Sequence, residues 1–215
     1  MSFFDLLKES AEQERGVGRI YGVVVGVVTN NQDPDGLARV KVKFPWLSDG
    51  DESGWARVAT LKAGNKRGFY FLPEVGDEVL VAFEHGDVRF PYVLGGLWNG
   101  SDAPPITNDD GKNNVGIIQS RSGHVVKFND EDGKETIEIV DKSQKNSIVI
   151  DTSENTITVT TDKDLTLSAP KGTIKLDAQK VQITSSGSTE VKATGNMNVE
   201  ASGTMTVKGS TVNIN

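Results

Sequence analysis

From Ile148 to Ile214 the chain repeats one short pattern, a pair of residues separated by a single position. The pairs are Ile148/Ile150, Ile157/Val159, Leu165/Leu167, Ile174/Leu176, Val181/Ile183, Thr189/Val191, Met197/Val199, Met205/Val207 and Val212/Ile214, apolar except for one Thr. Their first members advance by seven to nine residues, with a mean period of 8.0. The residue enclosed by each pair after the first is polar: Thr158, Thr166, Lys175, Gln182, Glu190, Asn198, Thr206 and Asn213. Alternation with a period of two puts one dry and one wet face on a strand. Eight residues make one short strand and a bend, with Gly172, Gly187, Gly195, Gly203 and Gly209 marking corners. Such a unit encloses no core by itself. Either successive units of one chain or several chains wound together must cover each apolar pair, and periodicity alone does not choose between them.

Every aromatic residue lies at or before Phe128, so two kinds of packing are joined in one chain. The chain has 215 residues with no Cys and two His, which removes disulfides, thiolate zinc sites and cysteine nucleophiles together. A formal charge of -7 opposes binding to phosphate backbones. No apolar run approaches the roughly 18 residues of a membrane span, and no ordinary secretory signal opens the sequence.

Residues 1–18 read as a short helical arm, with Phe3, Phe4, Leu6 and Leu7 apolar and Lys8 to Arg15 polar. Strand patterns follow at Ile20 to Thr29, Leu37 to Phe44, Trp55 to Thr60, Gly68 to Leu72, Glu78 to Glu84 and Tyr92 to Leu97, separated by clusters such as NNQDPDG and PEVGD. Several short strands of this kind close most economically into a small barrel, which leaves no exposed edge. Residues 101–116 are a polar linker rich in Pro, Gly and Asn. The segment SRSGHVVKFNDEDGKETIEI beyond it predicts two strands around a turn at Asn129 to Lys134.

The ordered series DPDGLARVKVKFPWL, SGWARVAT, GFYFLPEVGDEVLVAFEHGD and PYVLGGLWNG closely resembles the oligonucleotide/oligosaccharide-binding (OB) barrel of the phage baseplate assembly protein V family and of VgrG spike proteins. The resemblance implies an all-β protein: an OB-fold barrel over 19–100, then an intertwined trimeric β-helix, a needle, over 117–215. It also implies a central spike of a contractile injection machine, a structural protein that punctures a target envelope mechanically. The partners that follow are two further copies in a homotrimer, a separate baseplate hub protein, a conical tip protein of the PAAR class, and a target membrane met transiently. No nucleic acid is expected. Assembly in the bacterial cytoplasm, as part of a phage tail or an injection particle, belongs to the same expectation. On this reading Ile157, Val159, Leu165, Leu167, Ile174, Leu176, Val181, Ile183, Val199 and Val207 form the needle core, and Met205, Val207, Val212 and Ile214 dock the tip. Some relatives carry a lysozyme domain after the barrel, and 101–116 is too short to hold one.

Catalytic and metal-binding alternatives have little to work with. His85 and His124 stand in turns without convergent carboxylates, so no metal or cofactor is expected. Asp130, Glu131 and Asp132 lack the spacing of a calcium loop. A cell-wall lytic enzyme needs a positioned carboxylate pair, for which Glu84 with Asp87 is the local candidate. A carbohydrate- or nucleic-acid-binding OB module would use Trp46, Trp55, Tyr70 and Trp98 as stacking platforms; barrel core and interchain packing are the expected roles of these rings. The chain is expected not to be an enzyme.

Overall fold

The computed structural model describes residues 19–47 and 50–214, so the arm expected over 1–18 lies outside the described residues. The chain divides into two compact units, residues 1–162 and 163–215.

The first unit opens with a closed barrel of β1 (Val24–Asn30), β2 (Arg39–Lys43), β3 (Ala56–Val58), β6 (Glu78–Phe83) and β7 (Pro91–Gly96), in the order β1-β2-β3-β7-β6. All neighbours are antiparallel except β3 and β7. Alternation places the side chains: Val40 and Val42 are buried while Arg39, Lys41 and Lys43 stand outside, and Val79, Val81 and Phe83 repeat the arrangement on β6. The barrel expected over 19–100 thus has the five strands and closure of an OB fold.

Its interior is narrow. Val28, Val40, Val42, Ala56, Val79, Val81 and Val93 fill it with Phe44 and Phe83. Gly26 on β1 matters here, since a Cβ at that position would lie 3.3 Å from both the Lys43 carbonyl and the Phe44 ring. The expectation that Trp46, Trp55, Tyr70 and Trp98 help form this core is not met: Trp46, Tyr70 and Trp98 are exposed and Trp55 is half-buried. A bore already filled by these valines and two phenylalanines has no room for further rings. Trp55 lies outside it beneath the Arg39 guanidinium and the Lys41 ammonium, 5.9 and 5.5 Å from its centroid.

The β1–β2 connection is built around one carboxylate. Asp33 accepts hydrogen bonds from the backbone N–H groups of Asp35, Leu37 and Arg39, and from the Arg39 guanidinium at 2.7 and 2.8 Å. The Arg39 contact above all holds this carboxyl well below the usual carboxylate range. A depressed folded-state value means that the stabilisation is present above the unfolded value near ~3.9 and disappears as pH falls through the lower folded value. Asp33→Asn should therefore lower the thermal midpoint at pH 7 and flatten its decline below pH about 4. Parallel pH dependences for wild type and Asp33→Asn in scanning calorimetry would assign the acid sensitivity elsewhere.

Between β3 and β6 the structure departs from the sequence expectation. No strand spans Gly68 to Leu72; a small hairpin takes its place, β4 (Ala63–Gly64) paired with β5 (Arg67–Gly68). Gly68 has φ +149°, and a Cβ there would sit 2.3 Å from the Lys62 carbonyl oxygen. The next residue, Phe69, donates its N–H to that same carbonyl, adding a rung to the hairpin rather than to the barrel.

Five further strands complete the first unit: β8 (Val115–Gln119), β9 (Val125–Asn129), β10 (Thr136–Val140), β11 (Ser147–Asp151) and β12 (Thr156–Thr160). They form an antiparallel meander in which each strand pairs with its chain neighbour. The expected turn at Asn129 to Lys134 joins β9 to β10. Ile148/Ile150 and Ile157/Val159, the first two pairs of the repeat, are thus neighbours on β11 and β12.

In the second unit the described residues have no assigned strand, and all of them but Ala169 are exposed. Leu165, Leu167, Ile174, Leu176, Val181, Ile183, Val199 and Val207 are between 52% and 76% exposed in the single chain.

Candidate interaction surface

The register of the meander sorts its side chains into two unlike faces. Gly116, Phe128, Ile137, Ile150 and Ile157 lie in one row across the five strands, and Ile118, Val126, Ile139, Ile148 and Val159 lie in the next alternating row. Residues two apart on a strand share a face, so these rows form a single surface without one polar side chain. The opposite face is mixed, with Ile117, Lys127, Glu138, Val149 and Thr158 in its central row. Lys127 pairs there with Glu138 at 3.3 Å, and the Thr136 hydroxyl donates to the same carboxylate at 2.9 Å.

Burial runs opposite to polarity. Lys127, Glu138 and Val149 are half-buried, whereas Ile118, Phe128, Ile139 and Ile148 on the apolar face are 51%, 43%, 50% and 42% exposed. A continuous apolar surface of this size in water marks an interaction site. Part of it forms a shallow trough of about 520 Å³ that Phe71 closes on the barrel side and Ile118, Val126, Ile139, Ile148 and Val159 line.

Polar turns hold the sheet in this register. The Asp141 carboxylate accepts from the Ser143 hydroxyl and from the backbone N–H groups of Lys145 and Asn146, which keeps it below the usual carboxylate range. Asp151, whose pKa is lowered first by the Ser153 hydroxyl, does the same between β11 and β12. His124 is a turn residue as expected: its Nδ1 accepts from the Lys142 N–H at 3.3 Å, linking two turns at one end of the sheet. Arg121, in the β8–β9 turn, donates to Glu74 of the barrel at 2.8 Å. The sheet is thereby tied to the strand-opening turn at Pro73 to Asp77.

The carboxylate pair considered for catalysis is spent on structure. Asp87 is held down to about 2, principally by the Arg89 side chain, and Glu84 accepts from the Tyr92 hydroxyl at 3.0 Å. A general acid at neutral pH needs the opposite shift. His85 between them adopts φ +49° in the Glu84–Gly86 turn. Among the described residues no group of three or more His, Asp and Glu is placed to hold a metal ion, and no helix is long and apolar enough to cross a membrane.

The residues expected to form a needle core fall into two sets. Ile157 and Val159 lie on the apolar sheet face, and Leu165 to Val207 belong to the second unit. The sequence reading missed the N-terminal continuation of that face through Ile139, Ile137, Phe128, Val126 and Ile118. Apolar pairs at Ile137/Ile139 and Val126/Phe128 were the available signal, spaced by longer turns than those of the eight-residue repeat.

Residues 24–98 match the type VI secretion system/phage-baseplate injector OB domain. The chain is 34% identical over 128 residues to the actin cross-linking toxin VgrG1 of Vibrio cholerae, an alignment covering 56% of this chain and 12% of that protein. It is 32% identical to the type VI secretion system spike protein VgrG3 of Vibrio cholerae, over 56% of this chain and 13% of that protein. With the type VI secretion system spike protein VgrG1a of Pseudomonas aeruginosa, 31% identity extends over 61% of this chain and 22% of that protein. The aligned part is thus less than a quarter of each of these relatives' own length.

Proposed function

We propose that the chain, whose residues 24–98 match an injector OB domain and which is similar to VgrG spike proteins, is the structural central spike of a contractile injection machine, built as a parallel homotrimer. The observation that carries this reading is the apolar face of β8–β12, which continues in sequence into the eight-residue repeat. Three copies related by a threefold axis would turn those faces toward one another, removing from water about 25 cal/mol for each Å² of apolar surface covered. Wound further, the repeats of three chains would form a needle. Its strands would pair with neighbouring copies, satisfying backbone groups that the single chain leaves unpaired in its second unit.

A shaft of this kind works mechanically. Bending or fraying it means breaking many backbone hydrogen bonds together, so unfolding is slow as well as unfavourable. Its polar outer residues, Thr158, Lys175 and Glu190 among them, keep it soluble while it is driven through a target envelope. Docking to a hub protein and to a tip protein through Met205, Val207, Val212 and Ile214 belongs to the same proposal, as does assembly in the bacterial cytoplasm. No bond is made or broken.

Multi-angle light scattering of the purified chain tests the reading. The expected mass is three times 23.1 kDa, without dissociation on dilution to the nanomolar range. A stable, folded monomer would overturn it.

A further inference from the structure

Between Glu52 and Glu74 the chain has four cations, Arg57, Lys62, Lys66 and Arg67, and no acid. That +4 sits inside a chain of -7, which leaves -11 elsewhere. Three of the cations stand on or beside the β4–β5 hairpin, all exposed, and none of the three is in an ion pair among the described residues. The same loop holds Leu61, Tyr70 and Phe71 at 89%, 74% and 72% exposure. Tyr70, Phe71 and Arg67 are of the residue types enriched at interfaces, and Lys62 and Lys66 suit the charged rim of one. The hairpin tip is Asn65 and Lys66, polar and charged, while the apolar groups sit at its base. This arrangement does not suit insertion into a lipid surface, which would bury the tip first.

The complementary surface is on the same molecule. A trough of about 790 Å³ is lined by Trp98, Pro105, Ile106 and Val115 together with Asp109, Asp110 and Glu131, the last paired with Lys134 at 2.8 Å. Asp130 and Asp132 flank Glu131 in sequence, and Trp98 is 71% exposed. No residue of the hairpin loop lines this trough in its own chain. We infer that the 61–71 hairpin of one copy docks into the Trp98–Glu131 trough of the next, joining the barrels of the assembly. A patch that fits a different patch on an identical molecule makes a head-to-tail contact, and three such contacts close a ring. This inference rests on the homotrimer proposed above and names a contact that the apolar sheet faces do not supply.

The absence of native Cys allows a direct test on the full chain. Lys66→Cys carrying a maleimide-linked benzophenone should give, on illumination, interchain adducts mapping to residues 98–131. Adding Lys62→Glu and Arg67→Glu to that labelled chain should reduce their yield roughly tenfold, with recovery when Asp109, Asp110 and Glu131 are changed to Lys. A chain of trimeric mass whose adducts are intrachain, or map elsewhere, would overturn the hairpin contact and leave the trimer standing. A monomeric mass would overturn both. Flotation of the chain with phosphatidylglycerol vesicles, lost in the charge-reversed variant, would assign the hairpin to membranes and also overturn the contact.

Discussion

Leu176→Asp should abolish assembly, while Lys175→Asp at the adjacent position should leave it intact. Leu176 is the second member of its apolar pair and Lys175 the residue enclosed by that pair. In the threefold arrangement each inward position occurs three times around the axis, so one substitution introduces three carboxylates at one level of an apolar shaft. Each buried ion costs several kcal/mol even after relaxation, and their mutual repulsion adds to this. Lys175, exposed and paired with Asp177 at 2.9 Å, is expected on the wet face, so its replacement loses an exposed ion pair, worth about 0 to 1 kcal/mol, and adds a solvent-screened repulsion with Asp177. Light scattering and thermal melts read both variants. Normal Leu176→Asp trimers beside damaged Lys175→Asp trimers would invert the assignment of faces.

Ile139→Asp is expected to dissociate the proposed trimer into folded monomers. Ile139 occupies the middle strand of the apolar face, between Val126 and Ile148, at 50% exposure in the single chain. In a monomer the new carboxylate would remain hydrated and the barrel, whose core it does not touch, would stay folded. In a trimer it would be desolvated against two copies of itself. The result should be a soluble monomer with the near-ultraviolet signal of its barrel retained. Thr158→Asp, on the other face of the adjoining sheet edge, serves as the control and should assemble normally. An Ile139→Asp chain that remains trimeric would show that the apolar face is covered by something other than its own copies.

Much of the barrel could be read from sequence because its strands advertise themselves twice, through alternating valines and through turn clusters such as DPDG and PEVGD. Val40 and Val42 between Arg39, Lys41 and Lys43 leave one way to bury a strand. The segment 61–72 could not be read in this way. GFYFL has strong strand character, yet the conformation of Gly68 and the Phe69 N–H bond to Lys62 are set by the hairpin as a whole. Aromatic side chains also mislead, because hydrophobicity alone places Trp46 and Trp98 inside a barrel whose bore is already filled by valines, Phe44 and Phe83. The meander shows a third kind of loss. A period near eight fits a strand followed by a bend, whether the next strand returns beside it or continues around an axis. Only pairing in space distinguishes Ile150 opposite Ile157 from a coil.

The pairing pattern of the first unit bears on the order in which it forms. Every ladder of the meander joins strands adjacent along the chain, such as β10 to β11 across six residues, whereas barrel closure must bring β1 to β6 and β3 to β7 over much longer loops. Folding rate falls as contacts become less local, so the sheet is the fast element although the ribosome delivers it after the barrel. Each new chain therefore displays its isoleucine surface early, at a time when no sister chain is guaranteed to be near. If the proposed trimer forms, chain concentration at the site of synthesis then weighs on the balance between productive encounter and aggregation.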